Sequence, residues 1–278
     1  MVRVAANAFA FAALTAAGRV VAWGEETLGG DTHFPLAARA RRLRQGVRAI
    51  QASSAAFAAL KEDGVALSWG DPSCGGDSSV VQEQLVDVVA IAASSAAFAA
   101  LKRDGTVVSW GMRLRGGDSS GVQGRLHGVV AVAAAHAAFA ALTAQGEVVT
   151  WGGSGGQSEA VQQQLVDVRQ LAANLDGFAA LRGDGSVVAW GDGPAPEATD
   201  VTALHGCGFG YGAVTRQGAV LSWRLPVEKR LQRLGPGQAP APWWHGCVPA
   251  GRRCCKSCWR PTRCRCWCRG TWRSSPGP

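Results

Sequence analysis

The pattern of apolar and polar residues repeats along the chain about every 40 residues. In one unit, the apolar run Ala97–Leu101 is followed by the polar turn Lys102–Gly105 and then by the β-branched run Thr106–Trp110. An Asp-Gly pair suits a tight hairpin because glycine adopts a positive φ without steric cost. Valine and tryptophan pack well on a pleated surface. Each unit therefore predicts a hairpin, and the upstream segment Val86–Ile91 predicts one more strand.

Three landmarks recur in fixed register. Six of the 11 tryptophans each follow a glycine by five residues and an aromatic residue by twelve. The tryptophans are Trp23, Trp69, Trp110, Trp151, Trp190 and Trp223; the aromatic partners are Phe11, Phe57, Phe98, Phe139, Phe178 and Tyr211; the glycines are Gly18, Gly64, Gly105, Gly146, Gly185 and Gly218. Six copies in one register indicate a tandem-repeat architecture.

A helical repeat is the alternative, because the run Ala92–Leu101 is rich in the best helix former. The run is short for an independent helix, however, and each copy ends at a glycine turn followed by a strand pattern. We therefore expect the alanine-rich runs to be close-packed inner strands. The connector Gly75–Ser79 leads into Val80–Leu85, which predicts a single helical turn capped by Ser79.

A unit of this size cannot bury its own apolar face, so neighbouring units must stack, and radial stacking gives propeller blades. The sequence predicts an all-β fold: a β-propeller of about six repeats over residues 1–242. The alternatives left open are a six-bladed ring, an open or incomplete ring or fragment, and a seven-bladed ring with one degenerate blade. We expect the recurring Trp and Phe side chains to fill the spaces between blades.

The unit from Ile91 to Gly111 resembles the regulator of chromosome condensation repeat, a propeller family, through its Leu-x-x-Asp-Gly-x-Val-x-x-Trp-Gly segment. The resemblance covers roughly residues 4–224. A histidine usual in the second strand of the family is replaced, and so is the Gly-Gln-Leu-Gly element after the Trp-Gly pair. The replacing residues in the second strand are Ala56, Ala97, Ala138 and Gly177. Family rings usually have seven blades.

The resemblance implies several functions. Family members act in nucleotide exchange on a small GTPase, inhibition of β-lactamases, ultraviolet sensing in plants, and as adaptor modules of ubiquitin ligases. They share a rim of loops that grips another protein. Fold alone does not choose among these functions.

Charge and cysteine are concentrated at the C-terminal end. Residues 1–242 contain 20 basic and 20 acidic residues, whereas residues 243–278 contain eight basic residues and no acid, so they carry the whole net charge of +8. A neutral body predicts no nucleic-acid binding by the propeller. Because Cys74 and Cys207 are alone in the body, we expect a reducing, cytoplasmic or nuclear compartment. No apolar run is long enough for a membrane span.

The N-terminal segment imitates a secretory signal, since Met1–Arg3 precedes the uncharged run Val4–Gly18. Val4–Leu14 also aligns position by position with Ile91–Leu101 inside the chain. A repeat unit therefore explains this run without targeting.

The tail, residues 243–278, is rich in Arg, Cys and Trp. Disorder, or an out-of-frame or unselected extension, fits this composition. Its cysteines also suit zinc, although their spacing matches no common site. Trp259 and Trp267 beside arginines also suit stacking on nucleic-acid bases. The cysteines are Cys247, Cys254, Cys255, Cys258, Cys264, Cys266 and Cys268. We expect disorder.

No catalytic, cofactor-binding or metal site is predicted. Gly152-x-Ser154-x-Gly156 matches a nucleophile elbow only on paper, because it is one copy of a variable inter-strand loop. The glycines from Gly206 to Gly212 lack phosphate-loop spacing. The recurring aspartates flank turn glycines, and the histidines do not recur in register. The aspartates are Asp63, Asp104 and Asp184; the histidines are His33, His127, His136, His205 and His245. Light sensing by the tryptophans is disfavoured by their regular spacing.

The functional hypothesis is a non-enzymatic, monomeric protein-interaction scaffold without cofactors. The loops after Trp69, Trp110 and Trp151 differ in length and charge on a recurring framework, as recognition loops do. The alternatives are the adaptor part of an E3 ubiquitin-ligase system and a guanine nucleotide exchange factor for a small GTPase.

Overall fold

A computed structural model describes residues 3–33, 41–191, 195, 197–208 and 210–224. The chain separates into two units, Met1–Ala239 and Pro240–Pro278, and all described residues belong to the first. The tail at residues 243–278 lies outside the described residues, so its disorder and its two alternatives stay predictions.

The described residues form six antiparallel sheets, each made of three consecutive strands. Sheet 1 is β1 (Arg3–Ala6), β2 (Ala10–Leu14) and β3 (Val20–Gly24); sheet 2 is β4 (Val47–Ala52), β5 (Ala56–Lys61) and β6 (Ala66–Gly70); sheet 3 is β7 (Val88–Ala93), β8 (Ala97–Lys102) and β9 (Val107–Gly111); sheet 4 is β10 (Val129–Ala134), β11 (Ala138–Thr143) and β12 (Val148–Gly152); sheet 5 is β13 (Val168–Ala173), β14 (Phe178–Arg182) and β15 (Val187–Trp190); sheet 6 is β16 (Val201–Cys207), β17 (Gly210–Thr215) and β18 (Val220–Arg224). The all-β, six-repeat prediction is confirmed, and the helical alternative is wrong.

The hairpins follow from the Asp-Gly turns. The amide of Lys61 donates to the carbonyl of Val65 at 2.9 Å, and the Asp63 carboxylate accepts from the amide of Val65 at 3.1 Å. Gly64 has a φ of +80°, a conformation in which a β-carbon would be strained. Asp104 and Asp184 accept in the same way from Thr106 and Ser186. The recurring aspartates are therefore turn residues, as predicted.

The alanine-rich strands are the middle strands of their sheets. The run Ala92–Leu101 is the end of β7, a turn and most of β8 rather than one strand. The turn forms because the Ser94 amide donates to the carbonyl of Ala97 at 2.9 Å. The pattern of apolar and polar residues does not reveal this change of chain direction, because the strands on both sides of the turn are apolar.

Stacked aromatic pairs join consecutive sheets. Phe57 of β5 is directly opposite Trp69 of β6, and the ring centroids are 5.3 Å apart. This pair packs against Ala10, Ala12 and Leu14 of sheet 1 in one buried cluster. The same arrangement, with the small-residue face of one sheet on the aromatic face of the next, recurs through sheet 6. The prediction that Trp and Phe lie between blades is confirmed for sheets 2–6.

A series of backbone hydrogen bonds also links the sheets. The turn after the first strand of each sheet donates one amide to the carbonyl of the corresponding turn in the next sheet. The pairs are Ala8 to Ser54 (3.3 Å), Ser54 to Ser95 (2.8 Å), Ser95 to His136 (3.0 Å), His136 to Leu175 (3.0 Å) and Leu175 to Gly208 (3.1 Å). The order of the sheets is therefore fixed by backbone pairing as well as by apolar packing.

The predicted helical turn between sheets is shorter than expected and begins differently. A 3-10 turn spans Ser79–Val81, so Ser79 is its first residue rather than its cap. The carboxylate of Asp77 accepts from the amide of Ser79 at 3.0 Å, and Ser78, the residue before the turn, makes no side-chain capping hydrogen bond. Further 3-10 turns are Glu26–Leu28, Pro72–Cys74, Arg113–Arg115, Ser120–Arg125 and Gln162–Gln164.

Candidate interaction surface

The connectors between sheets 2, 3, 4 and 5 carry the side chains that vary from copy to copy. We call residues 71–87, 112–128 and 153–167 the connector rim. The first two connectors are equal in length, and the third is two residues shorter. The expected difference in length is therefore confined to the third connector. The first two differ in their side chains and in the length of their second 3-10 turn, which has three residues in the first connector and six in the second.

The first connector has a backbone fixed at both ends. The amide of Asp71 donates to the carbonyl of Ala55 at 3.0 Å, and the Asp71 carboxylate accepts from the amide of Ser73 at 2.8 Å. Gly75 has a φ of +88°, and a β-carbon there would lie 2.7 Å from the Phe98 ring. Its carbonyl accepts from the Trp110 indole at 3.0 Å. The connector is thus held by the next sheet.

The second connector keeps this backbone and changes its surface. The amide of Met112 donates to the carbonyl of Ala96 at 2.8 Å, matching Asp71. Arg113 lies 3.3 Å from Asp118 and is exposed. Hydrogen bonds from Ser120 and, less strongly, the charge of Arg113 lower the pKa of Asp118. An exposed pair of this kind contributes little stability, so Arg113 is available to a partner.

Exposed apolar side chains project from the first two connectors. Val80 is 94% exposed and Leu114 is 75% exposed, and Met112 is exposed as well. A shallow depression of about 300 Å³ lies beside Leu114 and is lined also by Arg113, Asp118 and Ser120. Apolar and arginine side chains around a depression are typical of a protein contact.

The third connector has the same position in its repeat but only small side chains at its start. The amide of Gly153 donates to the carbonyl of Ala137 at 2.7 Å, and Gly155 takes a φ of +88°. Ser154 is exposed. Among the described residues it makes no hydrogen bond to a histidine or a carboxylate, so the elbow-like motif is a loop, as expected.

The other residues singled out in the sequence are scattered. His33 contacts Asp31 at 2.7 Å on the surface, His127 is exposed, and His205 lies on β16. Hydrogen bonds from His33 lower the pKa of Asp31. Gly206 lies against the carbonyl of Ala173, which leaves no room for a side chain.

Within the part of the chain that the structure describes, no group of three or more His, Cys, Asp or Glu side chains could hold a metal ion. Burial raises the pKa of the Cys74 thiol, and Cys207 is an exposed free thiol. Over the same residues, no helix is long and apolar enough to cross a membrane.

Sequence reasoning missed the role of Gly29, Gly75 and Gly116. Each lies six residues after a repeat tryptophan. Each would place a β-carbon on the Phe ring of the next sheet, and each carbonyl accepts from the next Trp indole at 3.0–3.1 Å. These glycines belong to the Gly-Gly element that replaces the Gly-Gln-Leu-Gly element of the family. They therefore hold consecutive sheets together, and their fixed spacing after the tryptophan was the available signal in the sequence.

Solved propeller structures are similar to this chain. Human WBSCR16 matches with a TM-score of 0.51 and 19% identity over 87% of this chain and 84% of that chain. The ectodomain of the receptor kinase CR4 from Physcomitrella patens matches with a TM-score of 0.53 and 16% identity over 81% and 64%. Yeast RCC1 (Prp20), solved bound to Kap60, gives a TM-score of 0.49 and 16% identity over 80% and 69%.

No protein-family model and no curated protein sequence matches the chain. At these identities the structural likenesses concern the fold alone. The propeller fold that the resemblance to the regulator of chromosome condensation repeat implies is confirmed: the chain folds as a β-propeller.

Proposed function

We propose that this chain is a non-enzymatic scaffold that binds a protein partner through the connector rim. The observation that carries the proposal is the presence of Val80, Met112 and Leu114 as exposed apolar side chains on connectors that accept a Trp indole hydrogen bond from the next sheet at Gly75 and Gly116. A backbone that is already ordered loses little conformational entropy when a partner binds.

The chemistry of the rim favours a protein over a nucleic acid. Methionine and arginine are enriched at protein interfaces, and Met112 and Arg113 are adjacent on the second connector. Residues 1–242 carry no net charge, whereas binding to a phosphate backbone depends on an excess of basic side chains. The proposed partner is therefore a protein with an apolar patch flanked by acidic side chains.

The chain itself supplies a matched loop exchange. Replacing Met112–Arg115 with Gly153–Ser154 removes the variable side chains and reproduces the shorter connector of sheet 4. We expect this variant to fold normally and to lose the proteins that the wild-type chain captures. Leu114→Asp should have the same effect, and Val130→Asp is the control, because Val130 is exposed on β10 outside the rim.

Survival of every captured partner after the exchange and after Val80→Asp would contradict the proposal. Nucleotide exchange on a small GTPase by the isolated chain would contradict the non-enzymatic part and favour the exchange-factor alternative. Ubiquitin transfer by the isolated chain would contradict both the non-enzymatic part and an adaptor role. Proteins captured by the wild type should be purified, and their binding affinities for the wild type and for Leu114→Asp should be compared by titration.

A further inference from the structure

Sheet 1 carries the same aromatic face as the other sheets but leaves it uncovered. Phe11 and Trp23 stack with centroids 5.4 Å apart, as the equivalent pairs do. Phe11 is 45% exposed and Trp23 is 46% exposed, whereas Phe57 and Trp69 in sheet 2 are both 0% exposed. Val4 and Val21 lie on the same face and are exposed too. Exposed apolar patches of this kind mark interaction sites.

Sheet 6 carries the other half of the interface. In sheets 1, 3, 4 and 5, the face toward the next described sheet bears three small residues and two larger aliphatic residues. In sheet 2 that face has Ala66 in place of one larger aliphatic residue. In sheet 3 the five residues are Ala97, Ala99, Leu101, Val107 and Ser109; in sheet 6 they are Gly210, Gly212, Val214, Val220 and Ser222. A β-carbon added at Gly212 would meet no described atom closer than the Leu221 carbonyl at 4.0 Å. No described residue therefore packs onto this face at Gly212.

The aromatic face of sheet 1 is exposed, and the face of sheet 6 is half-buried at Gly212, Val214, Val220 and Ser222. The two faces are complementary in kind. The structure contains five buried interfaces between a small-residue face and an aromatic face. The backbone series between the sheets also runs in one direction, from Ala8 in sheet 1 to Gly208 in sheet 6. An additional interface of the same kind would need a small-residue face opposite Phe11 and Trp23, and sheet 6 has one.

We propose that the aromatic face of sheet 1 binds the small-residue face of sheet 6 in a second copy of this chain. Meeting of these two faces within one copy would require all five close-packed interfaces to change their geometry, and packed interfaces resist such deformation. A second copy brings the faces together without that strain. The contact is heterologous, so it leaves one free face of each type and propagates head to tail.

This inference is independent of the connector rim, and it departs from the expectation of a monomer. The test is sedimentation velocity of the full chain over a concentration series, under reducing conditions. The wild type should associate increasingly with concentration. Trp23→Arg and Gly212→Arg should each weaken association by about tenfold or more, since aromatic anchors dominate such contacts. Both positions have open space, so thermal unfolding should confirm that both variants fold.

Mixing the two arginine variants gives the decisive result. Each retains one intact face, and the intact faces are complementary, so an equimolar mixture should form a 1:1 dimer that grows no further. Leu114→Asp on the connector rim is the control and should associate like the wild type. A wild-type chain that stays monomeric at every concentration would overturn the proposal. So would a mixture that stays monomeric while the wild type associates, because the interface would then use other surfaces.

Discussion

Sheets 1 and 3 have the same local design and opposite surroundings. Each has a phenylalanine directly opposite a tryptophan, and each pair is stacked with centroids 5.4 Å apart. The sheet 3 pair is buried under sheet 2, and Gly75 accepts the hydrogen bond of the Trp110 indole. In sheet 1 no described sheet precedes Phe11 and Trp23. The pair itself is therefore a property of the hairpin, and burial is a property of its position in the series.

The comparison predicts that the same substitution has very different effects in the two sheets. Trp110→Ala should lower the free energy of unfolding by on the order of 3–5 kcal/mol, because it opens a cavity and leaves the Gly75 carbonyl unpaired. Trp23→Ala should cost about 1 kcal/mol or less. Chemical denaturation at a concentration where the chain is monomeric measures both. Equal losses would show that a neighbour covers sheet 1.

Substitution of Gly75, which contacts the next sheet, should have a smaller effect on stability than loss of Trp110. Gly75→Ala should destabilise the chain by about 1–3 kcal/mol, because alanine is strained at a φ of +88° and its β-carbon would press on Phe98. Gly121→Ala is the matched control on the next connector, since a β-carbon there meets nothing within 4 Å. If both variants unfold at the same temperature, the close contact of Gly75 with the next sheet contributes no stability.

The turn aspartates should produce a weak dependence on pH. Hydrogen bonds from the Thr106 side chain and backbone lower the pKa of Asp104 below its ordinary value. A carboxyl whose folded pKa is lowered stabilises the fold above its unfolded pKa of about 4, and that contribution is lost as the pH falls through the folded value. Asp104→Asn should therefore be slightly less stable than wild type near neutral pH. This difference should vanish in acid, and a constant difference would rule out the charge as its cause.

Removal of the tail should have the smallest effect. Residues 243–278 lack the aliphatic periodicity that would form a buried face. Truncation after Ala241 should leave thermal unfolding nearly unchanged. A fall of several degrees, or release of bound zinc, would show that the tail contributes to the fold.

Much of the fold follows from the sequence because strand pairing is local. The spacing of Phe98, Gly105 and Trp110 specifies the hairpin, its turn and the stacked pair. The exposure of Phe11 and Trp23 could not be predicted in this way, since periodicity reports which face a residue lies on and not whether a neighbour covers that face. The start of the 3-10 turn at Ser79 was not predicted correctly, because adjacent Asp and Ser residues are all acceptable caps. The connector rim was located by its variation, but its exposed apolar side chains required the structure.

Oxidative footprinting of the tryptophans, read by mass spectrometry, tests the central comparison most directly. In dilute solution, Trp23 should be modified much faster than Trp69, Trp110 and Trp151, because only Trp23 of these four lies on an uncovered face. Raising the protein concentration should slow the modification of Trp23 and leave the other rates unchanged. Equal protection of all four tryptophans in dilute solution would contradict an open face on sheet 1.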